Sequence, residues 1–294
     1  MSFLSYLING ISLGSVYAII ALGYTMVYGI AKMLNFAHGD VIMVGGYAAI
    51  TMMLSVSSNP LAAVLVAVVV CTVLGVLIER IAYRPLRTAA SPLAVLITAI
   101  GVSYFLQNVV LLIFGSAPKS FQSVVPFPDL HLADGALTIT AETIVTIVSC
   151  IVIMVVLTTF VNKTKAGQAM LAVAEDKGAA QLMGINVNGT IALTFAIGSG
   201  LAAIAGVLLC SAYPSLSPYT GSMPGIKAFV AAVFGGIGSI PGAMIGGILL
   251  GVIEILAKAY ISAQLADAIV FAVLIVVLLV KPTGLLGKKI QEKV

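Results

Sequence analysis

Apolar runs recur from one end of this 294-residue chain to the other, separated by short polar stretches. Within each run the apolar residues cover every face of a helix instead of a single stripe, which is the pattern of a helix solvated by lipid. At 1.5 Å per residue, a run of about 20 residues crosses a hydrocarbon core of about 30 Å. The pattern predicts spans at residues 5–29, 41–56, 61–78, 92–114, 140–161, 189–212, 243–260 and 266–280, with a shorter helix at 226–234. That makes eight full crossings and one piece of about half a bilayer. The short piece runs into Gly235, Gly236, Gly238, Ser239, Pro241 and Gly242, a cluster no straight helix tolerates, so a broken or re-entrant helix is expected. Irregular backbone at membrane depth survives only where protein or a water-lined cavity satisfies its polar groups.

Composition strengthens this picture. Hydrophobic residues make up 61% of the chain and charged residues 8%, against roughly 25% charged in an ordinary soluble protein. The mean hydropathy is +1.19. The expected class is therefore an all-α polytopic membrane protein, with residues 1–294 forming one transmembrane domain. The first apolar run lacks the basic flank and cleavage signature of a removable signal, so it reads as a retained span.

The net charge of +4 sits at segment ends and not in a patch with interleaved aromatics, so it marks topology and not nucleic-acid binding. The Lys/Arg bias puts Arg80, Arg84 and Arg87, then Lys163, Lys165 and Lys177, then Lys281, Lys288, Lys289 and Lys293 on the cytoplasmic side. The loop 115–139, with Asp129 and Asp134 against Lys119, then faces out. Counting back places Lys32 inside and the N-terminus outside. The C-terminus stays inside only if the short helix counts as a crossing. Cys71, Cys150 and Cys210 fall inside apolar segments at spacings that fit neither a disulfide framework nor a metal site, and read as small core residues.

Glycine pairs at Gly10/Gly14, Gly242/Gly246 and Gly247/Gly251 have the spacing that lets membrane helices approach closely. The second and third pairs carry more weight, because they tile one helix just after the break. Between two spans, residues 163–188 are too long for a turn. There Glu175 and Asp176 are expected in the first turn of a short amphipathic helix through Ala179, Ala180, Leu182 and Met183, with Gly184 as a left-handed cap.

Three further polar positions stand out. Asn35, His38 and Asp40 either line a pathway or lie in an interfacial loop whose His and Asp cap the next helix. Glu254, inside an apolar run, is expected to pair with Lys258 one turn later, with a place on the pathway as the other reading. Lys227 is expected to snorkel to the interface.

Five blocks in order carry a family resemblance: residues 23–30 (GYTMVYGI), 35–40 (NFAHGD), 79–87 (ERIAYRPLR), 174–186 with its AED and LMGIN ends, and 227–243 ending GGIGSIPGA. Together they resemble the permease subunits of ATP-binding-cassette importers for branched-chain amino acids, of the same superfamily as ribose-type sugar permeases. The resemblance implies that residues 175–184 form a coupling helix docking on an ATPase, with Gly184 at the glycine characteristic of permease coupling loops. It implies as partners a second homologous permease chain, two ATPase subunits and a periplasmic amino-acid-binding protein, in the inner membrane.

No cofactor is expected in this chain. It lacks a G-x-x-x-x-G-K-[ST] phosphate loop, so ATP would be bound and hydrolysed by partners. A urea or short-amide permease of the same superfamily would look similar. An ion-coupled secondary transporter would need paired intramembrane carboxylates, which are not evident. A membrane enzyme would need a clustered nucleophile, base or metal set, and the two histidines, His38 and His131, are expected on opposite sides of the membrane.

Overall fold

The computed structural model describes residues 2–57, 59–88, 92–132 and 137–287. Asp134, Lys288, Lys289 and Lys293 lie outside them. Every apolar segment anticipated from the sequence is a helix. In chain order these are α1 (Ser2–Ala31), α2 (His38–Ser55), α3 (Pro60–Ile78), α4 (Pro92–Phe114) and α5 (Ala141–Lys163). Two short helices follow, α6 (Lys165–Glu175) and α7 (Lys177–Leu182), and then α8 (Val187–Ala212), α9 (Ser222–Gly235), α10 (Ile240–Tyr260) and α11 (Ala266–Val280). Among the described residues, strands are confined to two small antiparallel pairs. One joins β1 (Lys119–Ser120) to the strand after α8, Ser215–Leu216, and the other joins Leu130–Leu132 to Leu137–Ile139.

Six of the helices, α1, α3, α4, α5, α8 and α10, are long and apolar enough to cross a membrane, while α9 and α11 are shorter apolar helices. Helix starts follow local chemistry. Asn59 accepts the Leu61 N–H ahead of Pro60 in the first turn of α3, Asn186 caps α8, and Ser239 caps α10 with Pro241 just inside it.

The core is built on α1, α8 and α10. Burial covers 72% of the apolar window of α8 and 56% of that of α1, against 17% for α4, so α4 is a peripheral helix. α1 and α10 run antiparallel with their backbones in contact. A Cβ on Gly14 would lie 2.6 Å from Ile248 Cα, one on Gly10 would lie 2.8 Å from Val252 Cα, and one on Gly247 would lie 2.5 Å from Ala18 Cα. Gly242 and Gly246 on the other side of α10 take the backbone of α9. In lipid, where no hydrophobic effect drives helices together, this closeness supplies the van der Waals and weak polar contacts that do. Gly10/Gly14, given less weight from spacing alone, is as tightly engaged as the other two pairs. Cys71, Cys150 and Cys210 are free thiols buried in the core.

Lys32, Arg87 and Lys177 lie together at one end of the bundle, the basic end. Lys177 Nζ donates to the Ala31 carbonyl at 3.0 Å, Arg87 donates to Asn188 Oδ1 at 2.6 Å, and Gly29 adjoins Gly238. At the opposite end Tyr6 meets Tyr260 edge-on. The short helix α9 starts inside the bundle, beside Gly39, and returns the chain to the basic end.

Two boundaries differ from expectation in a way that matters. α2 begins at His38 and not at residue 41, and α9 is 14 residues long, about 21 Å at 1.5 Å per residue. The glycine-rich segment after α9 lies at the basic end and not at membrane depth. There Gly236 (φ +106°) and Gly238 (φ +93°) adopt backbone that disfavours a side chain. The C-terminal segment satisfies the end of α9, with the Leu285 N–H bonded to Phe234 O and the Leu286 N–H to Gly235 O, both at 2.9 Å. The irregular backbone inside the bundle is at the other end of α9, in the loop before Ser222.

Candidate functional site

Two helices begin inside the bundle and meet at their N-termini. The His38 ring lies against Gly23, eight residues before the end of α1, which places the start of α2 about 12 Å inside the bundle from its basic end. The segment 32–37 therefore folds back between the helices. The start of α9 sits beside it. A Cβ on Gly39 would lie 2.7 Å from Gly221 O, and one on Gly225 would lie 2.7 Å from Gly39 Cα. Only glycine allows this approach. Neither N-terminus carries a side-chain cap, so the partial positive ends of two helices converge here.

Asp40, in the first turn of α2, is the carboxylate at this junction. It is 2% exposed and accepts a hydrogen bond from Gln107 Nε2 at 2.8 Å, while Gln107 also approaches Ser103 Oγ and Ser222 Oγ, each at 3.4 Å. Among the described residues no ion pair involves Asp40. His38 stacks edge-on against Tyr24 at 4.6 Å, and its Nε2 is buried without a hydrogen-bond partner. Asn35 is buried and accepts from Tyr83 Oη at 2.9 Å. The interfacial-cap reading of His38 and Asp40 is thus corrected. The N-cap is Ala37, and both side chains are sequestered because the loop before them turns inward instead of running along the interface.

Glu254 occupies a different kind of polar site. Its Oε1 is 2.6 Å from Lys258 Nζ, as the one-turn spacing predicted, and also 2.8 Å from Lys227 Nζ. Its Oε2 accepts from Tyr17 Oη at 2.9 Å. Lys227 bridges further to Asp267 at 2.7 Å. Lys227 therefore does not snorkel. The start of α9 lies inside the bundle, so its shortest path to a counter-charge is inward to α10 and α11.

The linker between α5 and α8 is a helix pair and not one helix. Glu175 ends α6 instead of opening a helix, a correction that follows from the extended backbone of Asp176. Asp176 is the N-cap of α7, and its Oδ1 accepts from the N–H groups of Gly178 and Ala179 at 2.8 and 3.0 Å. At the other end Gly184 has φ +81°, with its N–H bonded to Gln181 O and the Ile185 N–H bonded to Ala180 O, both at 3.0 Å. This paired bonding around a left-handed glycine is a Schellman cap. Ala180 is buried against the bundle, while Ala179, Leu182 (90% exposed) and Met183 (82% exposed) face away.

Sequence reasoning missed Gln107, Ser103 and Ser222 around Asp40, and Tyr17 and Asp267 around Glu254. A usable signal existed for some of them. Gln107 is a polar residue deep in an apolar run, and such a residue has to find a partner inside the bundle.

Comparisons with known proteins cover the same residues. Residues 6–278 match the family described as branched-chain amino acid transport system / permease component. The chain is 47% identical, over 99% of its length and 98% of theirs, to two curated relatives. One is the high-affinity branched-chain amino acid transport system permease protein LivH of Escherichia coli strain K12, and the other is the corresponding protein BraD of Pseudomonas aeruginosa. It is also 33% identical, over 32% of its length and 28% of the relative's, to the fructose import permease protein FrcC of Rhizobium meliloti. With membrane-length helices and a family match along nearly the whole chain, this protein belongs to the branched-chain amino acid transport system permease family.

Proposed function

We propose that this chain is the membrane-spanning subunit of an ATP-driven importer that carries branched-chain amino acids, leucine, isoleucine and valine, across the inner membrane. The observation that carries the reading is the 47% identity to LivH and BraD over 99% of the chain. The basic end is the cytoplasmic end, as the Lys/Arg bias requires. The chain works as one transmembrane domain beside a second homologous permease. Two ATPase subunits bind and hydrolyse ATP, no cofactor is held here, and a periplasmic binding protein delivers the amino acid.

α7 is the coupling helix. Asp176 and Gly184 cap it at both ends, Ala180 seats it on the bundle, and Leu182 and Met183 offer an apolar face suited to a groove on the ATPase. Glu175 and Ala179 flank that face. Closure of the ATPases pushes α7, and α6 and α8 pass the motion to the bundle. Asn35, His38 and Asp40 stand where two helix starts meet, and a rearrangement there opens the pathway to one side or the other. Glu254 is an anchor for this motion and not a contact for cargo.

The test uses the whole complex, co-expressed and reconstituted in vesicles with the binding protein and ATP, with leucine, urea and acetamide as alternative cargoes. Leucine is accumulated and the amides are not. Gly184→Leu costs roughly 1 to 2 kcal/mol in α7, because a branched side chain is strained at φ +81°. ATPase co-purification and leucine uptake then both fall. Unchanged uptake in that variant, or uphill leucine transport by the chain without ATPases, would overturn the reading.

A further inference from the structure

Below the junction, at the basic end, a cavity of about 490 Å³ opens between the end of α1, the start of α4 and α7. Three cations line it from three separate elements: Lys32 after α1, Arg87 in the turn before α4, and Lys177 at the start of α7. No carboxylate is among its described lining residues. Glu79, buried behind Arg87, offsets one of the three charges, and Glu175 and Asp176, next to Lys177 in the chain, stand outside the lining, which itself carries only cations. Arg84, also 3.8 Å from Glu79, adds a positive charge nearby. Arg87 further donates to Asn188, and Lys177 to the Ala31 carbonyl, so both cations are held in place. Lys32 is the one described non-glycine residue at positive φ (+57°), closing the C-terminus of α1 with its N–H bonded to Tyr28 O at 3.0 Å.

The three cations lie close enough to act on one another. Lys177 is pushed below the usual lysine range, first by burial and then by the Arg87 and Lys32 charges beside it. The rest of the wall is apolar. Tyr28, Leu93 and Leu96 line it, and the outward face of α4 continues with Leu93 (64% exposed) and Ile97 (68% exposed) toward the lipid. The cavity thus joins a cationic floor to an apolar flank at a membrane boundary, which is the shape of a phospholipid with its headgroup bound and one chain along α4.

We infer that this cavity is a binding site for the phosphate of an anionic phospholipid, held jointly by Lys32, Arg87 and Lys177. One phosphate diester bridges the end of α1, the turn before α4 and α7.

The test is made on the permease assembled with its partner subunits, in discs of phosphatidylcholine to which phosphatidylglycerol is titrated, with native mass spectrometry reading the lipid retained. Phosphatidylglycerol is expected to bind in preference to phosphatidylcholine. Each lysine lost should weaken it about fivefold, from about 1 kcal/mol per cation at a membrane surface. Lys32→Gln with Lys177→Gln should then weaken binding about thirtyfold, and Lys32→Arg with Lys177→Arg should retain it. If the double Gln variant unfolds at a lower temperature in lipid-free detergent, the single Lys32→Gln variant, altered at an exposed residue, carries the fivefold expectation by itself. Equal retention of the two lipids, or retention indifferent to these substitutions, overturns the assignment. Protection by inorganic phosphate equal to that by phosphatidylglycerol assigns the site to a soluble phosphate and overturns the lipid. Loss of ATPase from the Gln variants with phosphatidylglycerol still retained assigns the cations to a protein interface and overturns it as well.

Discussion

Two polar regions lie inside this apolar bundle, and they meet the cost of burying charge in opposite ways. Around Glu254 every charge has a counter-charge: Lys227 and Lys258 on one oxygen, Tyr17 on the other, and Asp267 completing Lys227. Around Asp40 there is a carboxylate with one amide partner, a histidine with an unpartnered nitrogen, and two uncapped helix starts. A closed network has one low-energy arrangement and holds α1, α9, α10 and α11 together. An open junction, in which the carboxylate has no counter-charge to hold it in one arrangement, can be rearranged at a lower cost. The first is suited to a frame and the second to a moving part.

Substitutions separate the two roles. The largest effect on stability is expected from Glu254→Ala, which leaves the buried Lys227 with only the half-exposed Asp267 as counter-charge. Breaking a buried pair costs about 3 to 5 kcal/mol, and a large drop in thermal unfolding temperature in detergent measures it. Adding Lys227→Met should recover part of that loss, because the buried cation is then gone and Asp267, half exposed, can be solvated. A smaller loss of stability is expected from Gly221→Ala at the junction. The added methyl meets the Gly39 carbonyl, and such overpacking costs about 1 to 3 kcal/mol. Transport should fall more than stability, since the two helix starts can no longer approach. Asp40→Asn should leave the unfolding temperature nearly unchanged and lower amino-acid uptake in reconstituted complexes about tenfold or more, from the roughly 1 to 3 kcal/mol that one hydrogen-bonded charge contributes. The comparison collapses if Asp40→Asn unfolds the protein while Glu254→Ala does not.

Much of this was legible in the chain, for identifiable reasons. The apolar runs became helices because a lipid-facing backbone must satisfy its own hydrogen bonds. The Glu254–Lys258 pair and the left-handed Gly184 depend on spacing along one helix, so they were readable without knowing any neighbour. The extent of α9 was underestimated because its first turn, Ser222 to Gly225, is polar and glycine-rich and looks like loop. The burial of Lys227 was misjudged for the same reason, since depth depends on where α9 starts.

The sequence by itself determined the class of protein, the number of apolar segments, their likeness to one transporter family and the local caps of α7, because each of these rests on composition or on residues within a few positions of one another. Only the tertiary structure decided that residues 32–37 and the loop before α9 turn into the bundle, that Gly39 meets Gly221, and that Lys227 reaches across 27 positions to Glu254. Those contacts join segments far apart in the chain, and nothing in a linear pattern encodes how deep in the membrane each helix begins.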